Sequence, residues 1–201
     1  MGLFAKLVER VSDNPVLFIF FRGLLENNFT AIRGVIRREL KLGQGLRSLD
    51  LGCGPGAFSD LFEGDDYVGV DMNMRYIEFA RRARKGTFVV GDARKVELPD
   101  ARFDQALIFG LLHHLPDDDV RAVLSEVRRV MHPGGRALVI EDIPAVSKMN
   151  LIGHLIHNVE NGEYIRPAEE YRRLYTEFAR VEREDVLRSG ICDYYSAVLV
   201  T

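Results

Sequence analysis

A short apolar run, Leu46 to Leu51, stops abruptly at Gly52-Cys53-Gly54-Pro55-Gly56. Three glycines spaced two apart, directly after a strand-like run, leave the backbone few options. Glycine serves where φ is positive or where a ligand must approach bare main chain. Ala57 to Phe62 then reads as the start of a helix, whose first N–H groups lack partners and carry the positive end of the dipole. The expectation is a strand, a tight turn and a helix, with turn N–H groups facing an anionic part of a ligand.

The chain beyond this turn keeps the same alternation. Strands are expected at Tyr67 to Val70, Thr87 to Val90, Phe103 to Phe109 and Arg136 to Glu141, with helices at Asn73 to Arg84 and Asp117 to Met131 between them. The second helix has Val120, Val123, Leu124, Val127 and Val130 on one stripe. His132-Pro133-Gly134-Gly135 reads as its stop. Phe178 to Glu184 and Tyr194 to Val200 read as two more strands, joined too directly to be parallel neighbours. The fold class is therefore α/β: a doubly wound, mostly parallel seven-stranded sheet with an antiparallel terminal strand. Before Gly43-Gln44-Gly45, residues 1–45 read as an N-terminal helical cap, with helices at Leu3 to Val11, after a cap at Asp13 or Asn14, and at Phe29 to Leu42. Residues 46–201 form the main domain, with a helical lid insertion at about 144–176.

Gly52, Gly54 and Ala57 also satisfy a loose dinucleotide-binding pattern. Pro55, the acid Asp50 in the strand and the later segments separate the two readings. Leu49-Asp50-Leu51-Gly52-Cys53-Gly54-Pro55-Gly56 resembles the first motif of the class I S-adenosylmethionine-dependent methyltransferases. Specific resemblance runs from Leu46 to Met131 and extends more loosely to Thr201. It implies a cofactor, S-adenosyl-L-methionine, converted to S-adenosyl-L-homocysteine. It also implies a reversed last strand, which a dinucleotide dehydrogenase half lacks.

The candidate cofactor residues fall at strand ends, where open α/β sheets bind ligands. They are Asp50, Gly52, Cys53, Gly54 and Gly56 after the first strand, and Asp71 and Met72 after the second. Asp92 and Ala93 follow the third strand, and Phe109 and Gly110 end the fourth. Asp71 matches a vicinal diol with its two oxygens; in the resembled family an acid here holds the ribose. The alternative is an N-cap. Asp92 and its neighbour stand where the family holds adenine, against a plain turn. Met72 fits an adenine face or the core. Asp50 is placed to meet the cofactor's ammonium, directly or through water.

His113, in Leu111-Leu112-His113-His114-Leu115, is the candidate general base, because imidazole titrates near working pH. Packing in the loop is the competing reading, favoured for His114. His114, Glu141, Tyr164 and Arg166 are the candidate acceptor-binding residues. Tyr171, Tyr175, Tyr194 and Tyr195 are further pocket candidates. Glu141 and Asp142 suit a charged loop better than a metal, for which no convergent oxygen set is found. His154, His157 and Glu160 share a helical face, more as a lid surface than as a zinc site. Phe4, Phe18, Phe20, Phe21 and Phe29 read as a cap over the cleft rather than a membrane helix, which wants a basic face.

A net charge of -3, with acids and bases scattered, gives no basic face for nucleic acid. The Asn-Pro-Pro-Tyr-like motif of adenine methylation is also absent after the fourth strand. Two distant cysteines fit a reducing cytoplasm, and no segment is apolar for long enough to span a bilayer. The reading is a cytoplasmic enzyme, monomer or homodimer, methylating oxygen, nitrogen or carbon of a small molecule. An NAD(P)-dependent oxidoreductase and a non-catalytic S-adenosylmethionine-binding module are the alternatives.

Overall fold

The structure, a computed structural model, describes residues 14–145 and 164–201. The helix expected at Leu3 to Val11, Phe4, and the group His154, His157 and Glu160 lie outside the described residues, as does the middle of the expected lid. Helix α1 (Pro15–Leu25) is capped by Asn14, whose side chain accepts from the Val16 and Leu17 N–H groups. A left-handed run at Asn27, Asn28 and Phe29 leads into α2 (Thr30–Glu39).

Seven strands follow: β1 (Arg47–Leu51), β2 (Asp66–Asp71), β3 (Thr87–Val90), β4 (Phe103–Phe109), β5 (Met131–Asp142), β6 (Arg180–Ser189) and β7 (Cys192–Val200). Helix α3 (Met74–Ala83) joins β2 to β3, α4 (Asp117–Val130) joins β4 to β5, and α5 (Ala168–Thr176) precedes β6. The sheet order is β3-β2-β1-β4-β5-β7-β6. Strands β1 to β5 pair in parallel, and β7 runs antiparallel to both β5 and β6. The expected sheet and its reversed last strand are both present. Strand order changes direction between β1 and β4, so their carboxyl ends form the switch-point crevice.

Alternation along the strands divides the core into two layers. Leu49, Leu51, Ala106, Ile108, Ala137 and Val139 face α4 and α5. Leu107, Leu138, Ile140 and Val198 face α2, with Ile32, Val35 and Ile36, and α3, with Ile77 and Ala80. Asp50 and Tyr67 fall on this second face, among Cys53, Phe62 and Phe88, which is why a carboxylate there is buried.

Three expected elements differ. Ala57 to Phe62 is not an α-helix but a turn and one short 3-10 stretch, Ser59–Phe62. Gly56 at φ 72° and Gly64 at φ 99° bound a segment too short to propagate helix. Strand β5 begins at Met131 because Met131 pairs with Phe103 and Arg136 with Gln105, so 132–135 bulge out within the strand. The last two strands are joined by Gly190 and Ile191 alone, rather than by Asp185 to Asp193. Strand β6 lies at the sheet edge and carries Glu182, Arg183, Glu184 and Asp185, a charged run that guards the edge.

Candidate active site

At the end of β1, Gly52, Gly54 and Gly56 all hold positive φ, at 79°, 52° and 72°. They do so for different reasons. A Cβ on Gly52 would press against Leu111, and one on Gly56 would stand 3.0 Å from the Phe88 ring. A Cβ on Gly54 would meet only the Tyr76 ring, at 3.9 Å. Gly54 therefore presents open backbone, whereas its two neighbours are fixed by packing.

The turn's N–H groups are already engaged. Gly52 and Cys53 donate to the Val70 carbonyl, Gly56 donates to the Cys53 carbonyl, and Gly54 donates to Asp71 Oδ2 at 2.9 Å. The expectation that these donors face a ligand anion is corrected: they tie the turn to β2, and no helix N-terminus follows. Cys53 packs inward, its Sγ against Gly69, where an added Cβ would stand at 2.8 Å. Only its main chain belongs to the turn.

Asp71, at the end of β2, accepts Gly54 N–H on one oxygen and Asn73 N–H, at 2.7 Å, on the other. Each carboxylate oxygen has a second lone pair. Burial raises its pKa from the ordinary value, and the two backbone bonds oppose that shift. Helix α3 is capped by Asn73, not by Asp71. Met72 stands 74% exposed beside it. At β3, Asp92 is drawn into an ion pair with Arg94, which also holds Asp119. That pairing lowers the Asp92 pKa. Ala93 packs on the core edge. Asp50 lies beneath the turn, where its Oδ2 accepts the Tyr67 hydroxyl at 2.7 Å. Burial drives its pKa up to about 7, the Tyr67 bond pulls it down, and the Asp71 charge adds to the rise. Tyr67, unnoticed in the sequence, is thus the partner of the motif's acid.

Across the switch point, Phe109 ends β4 in a cluster with Phe29, Phe58 and Tyr194, and Gly110 turns at φ 63°. The loop after it is organised by Glu141, fully buried at the end of β5. Its Oε1 accepts the N–H groups of Leu111 and Leu112, at 3.0 and 2.8 Å. Its Oε2 pairs with His113 Nδ1 at 2.8 Å. A carboxylate can only accept, so Nδ1 carries the hydrogen and Nε2 is left with a lone pair. Burial lowers the His113 pKa, but the Glu141 bond and the Asp142 and Glu141 charges outweigh it, and the net direction is up. The His114 ring lies 4.1 Å from the His113 ring, tilted by 45° to it, and is exposed.

Arg166 is buried and has all five N–H donors engaged. They go to Asp117 twice, and to the carbonyls of Leu112, Tyr164 and Leu115. The expectation that Arg166 binds an acceptor anion is corrected: it clamps the His113 loop. Glu141 is likewise corrected from acceptor contact to loop organiser, since its oxygens face main chain and imidazole. Tyr164 pins the loop through its N–H on the His113 carbonyl at 3.0 Å, with its ring at the surface. Tyr171, Tyr175 and Tyr195 stack together under the site, and Tyr194 hydrogen-bonds Glu26.

Comparison with known proteins bears on the segment that holds this site. Residues 49–139 match the model of the methyltransferase domain. A fatty-acid O-methyltransferase of Mycolicibacterium smegmatis is 37% identical over 108 residues, covering 50% of this chain and 39% of that protein. A tRNA (carboxymethyluridine(34)-5-O)-methyltransferase of Schizosaccharomyces pombe is 31% identical over 106 residues, covering 52% of this chain and 46% of that protein. The methyltransferase in the Haloferax volcanii complex with the activator Trm112 superposes at a TM-score of 0.73. It is 17% identical, with 94% of this chain and 96% of that chain covered. Residues 49–139 carry a methyltransferase domain, and the chain as a whole shares the fold of that solved structure. Its match to these two curated relatives takes up less than half of their length.

The residues at this turn fit S-adenosylmethionine, the cofactor of the enzymes the chain resembles. The open face of Gly54 accepts a flat ligand against main chain, Asp71 keeps lone pairs for a diol, and exposed Met72 offers an apolar face. What sequence reading missed was the support: Tyr67 under Asp50, and the Tyr194 and Glu26 pair near Asp142. Glu26 belongs to the segment after α1, and its complete burial, at 0% exposed, is a signal that no local pattern carries. Among the described residues no helix is long and apolar enough to cross a membrane.

Proposed function

We propose that this methyltransferase acts on a small molecule, at oxygen, nitrogen or carbon, with His113 as general base where the acceptor carries a proton. One observation carries the reading: open Gly54 backbone bonded directly to a carboxylate with lone pairs to spare, at the switch point. When bound, S-adenosylmethionine supplies a methyl group activated by a sulfonium. Asp71 holds the ribose hydroxyls, Met72 covers adenine, the Asp92–Ala93 edge borders it, and Phe109 and Gly110 line the methionine portion. The Asp50 charge lies below, on the side of the ammonium. Tyr164 and His114 flank the acceptor side with exposed rings. Residues 1–45 act as a helical cap and 144–176 as a lid on the 46–201 domain. Phe18 supports the first part, since its ring lies 5.3 Å from Tyr76 above Gly54.

His113 Nε2 takes the acceptor's proton as the new bond forms, which contributes about 10²–10⁴-fold in such sites. The remainder of the rate comes from holding donor and acceptor in line and excluding water. The experiment supplies methyl-labelled cofactor to the protein with fractionated cell extract. Label in a small-molecule fraction is the expected result. Label only in the RNA fraction overturns the substrate class, and absence of cofactor binding by calorimetry overturns the whole reading.

A further inference from the structure

Asp142 ends β5, beside Glu141, and its role is not settled by anything above. Its side chain is 5% exposed, and among the described residues its Oδ2 has no hydrogen-bond donor. The nearest cation-forming atom is His113 Nδ1, at 3.7 Å, beyond hydrogen-bond reach. That nitrogen has one hydrogen, and Glu141 Oε2 takes it at 2.8 Å. The neighbours that might satisfy Asp142 are turned elsewhere. The Tyr194 hydroxyl donates to Glu26 at 2.6 Å, and the Arg22 guanidinium holds Glu26 and the Tyr194 oxygen. A buried carboxylate oxygen without a donor costs stability. The cost is recovered only when a positive charge forms nearby.

We propose that Asp142 is a positioning residue: with Glu141 it forms a two-carboxylate seat that orients His113 and stabilises the imidazolium formed during turnover. This rests on His113 being the base. The proton leaves the acceptor's O–H or N–H and bonds to Nε2. The electron pair it leaves forms the bond to the methyl carbon, and the old carbon–sulfur pair stays on sulfur. The ring then carries a full positive charge between Glu141, in hydrogen-bond contact, and Asp142, through space. Among the described residues the other groups facing it are Arg22, from α1, which opposes the charge, and the tilted His114 ring. The two carboxylates win over burial and Arg22 in the direction of the His113 shift.

The test is nitrogen-15 NMR titration of histidine-labelled full-length protein saturated with S-adenosylhomocysteine. His113→Gln assigns the signal. The wild-type midpoint is expected above the ordinary histidine value of about 6.5. Asp142→Asn should lower it by about one unit, as loss of a close opposite charge does, and Asp142→Glu should restore part of that. A midpoint unmoved in Asp142→Asn, with cofactor-product affinity retained, overturns the proposal. Should Asp142→Asn not fold, a wild-type midpoint at or below the ordinary value overturns it equally. With an acceptor from the labelling screen, the acid limb of the kcat profile should move to lower pH in Asp142→Asn, with KM for the cofactor unchanged. An unaltered rate in His113→Ala would remove the base assignment while leaving the NMR shift in place, so the two failures are distinct.

Discussion

The two halves of this site are built from different materials. The half proposed to hold the cofactor is main chain: one turn, Gly52 to Gly56, whose shape comes from three positive φ angles and whose Gly52, Cys53 and Gly54 N–H groups lock onto β2. The half proposed to face the acceptor is side chain: His113 after β4, Glu141 and Asp142 on β5, Arg166 from beyond the insertion, and Tyr194 on β7 with Glu26 beside it. A backbone site is written in consecutive residues, because each glycine answers a local conformational demand. A side-chain site is written across the topology, and each member means little alone.

The largest expected effect breaks the cofactor side at its open point. Gly54→Val should weaken S-adenosylhomocysteine binding at least about a thousandfold, since a branched side chain fills the approach and dislikes positive φ. The fold should survive, because the nearest atom to the new Cβ is 3.9 Å away. Gly56→Val, two residues on, should instead lower the melting temperature, because Phe88 and Arg84 occupy its space. Calorimetry and thermal melts on both separate ligand approach from packing. If both variants behave alike, the division of labour within the turn is wrong.

Next comes the acceptor side. His113→Ala should reduce turnover about a hundredfold while leaving cofactor affinity within about twofold. Steady-state rates against calorimetric affinity check that split, and a parallel loss of both would mean the two sides are one structure. Arg166→Lys should cost about 2 kcal/mol of stability, read as a shift in denaturant midpoint. Three donors on a flexible stem cannot serve Asp117 and three carbonyls, which leaves buried oxygens unpaired. Cofactor binding should be unaffected, because no Arg166 bond reaches the glycine turn.

The same contrast explains what could be read beforehand. Strands β3 and β4 were legible to the residue, because apolar runs bounded by turns carry their own limits. Strand β6 is legible only as far as Glu184, since Asp185 to Ser189 look like a connection until the sheet edge is known. The short 3-10 stretch after Gly56 was mistaken for a helix, since Ala57 to Phe62 has helical composition but lies between two positive-φ glycines. Arg166 and Glu141 were read as acceptor groups because a lone Arg or Glu at a cleft suggests binding. Their burial, and the carbonyls and N–H groups they serve, are products of tertiary structure. Asp50 was found by its motif, but its partner Tyr67 depends on register between β1 and β2.

Asp50 gives the smallest and most discriminating measurement. An unfolded aspartate ionises near 3.8, whereas burial raises the folded group to about 7, against the Tyr67 bond and with the Asp71 charge adding. The folded chain therefore holds this proton over the window between those values. Its stabilising effect is full below about pH 4, declines as pH rises through the window, and is gone above about 7, where a buried charge remains. Asp50→Asn removes the charge but keeps a buried polar group, so at about pH 8 it should be more stable than the native chain by about 1–2 kcal/mol. Thermal melts should show this as a gain of about 2–4 °C per kcal/mol that disappears on acidification. Cofactor affinity should fall at the same time, by about tenfold, because the acid beneath the turn no longer offers charge to an ammonium. A variant less stable than the native chain at every pH would make Asp50 a structural anchor for Tyr67. The cofactor side would then depend on side-chain packing as much as the acceptor side does, and the contrast between them would fail at the residue that opens the motif.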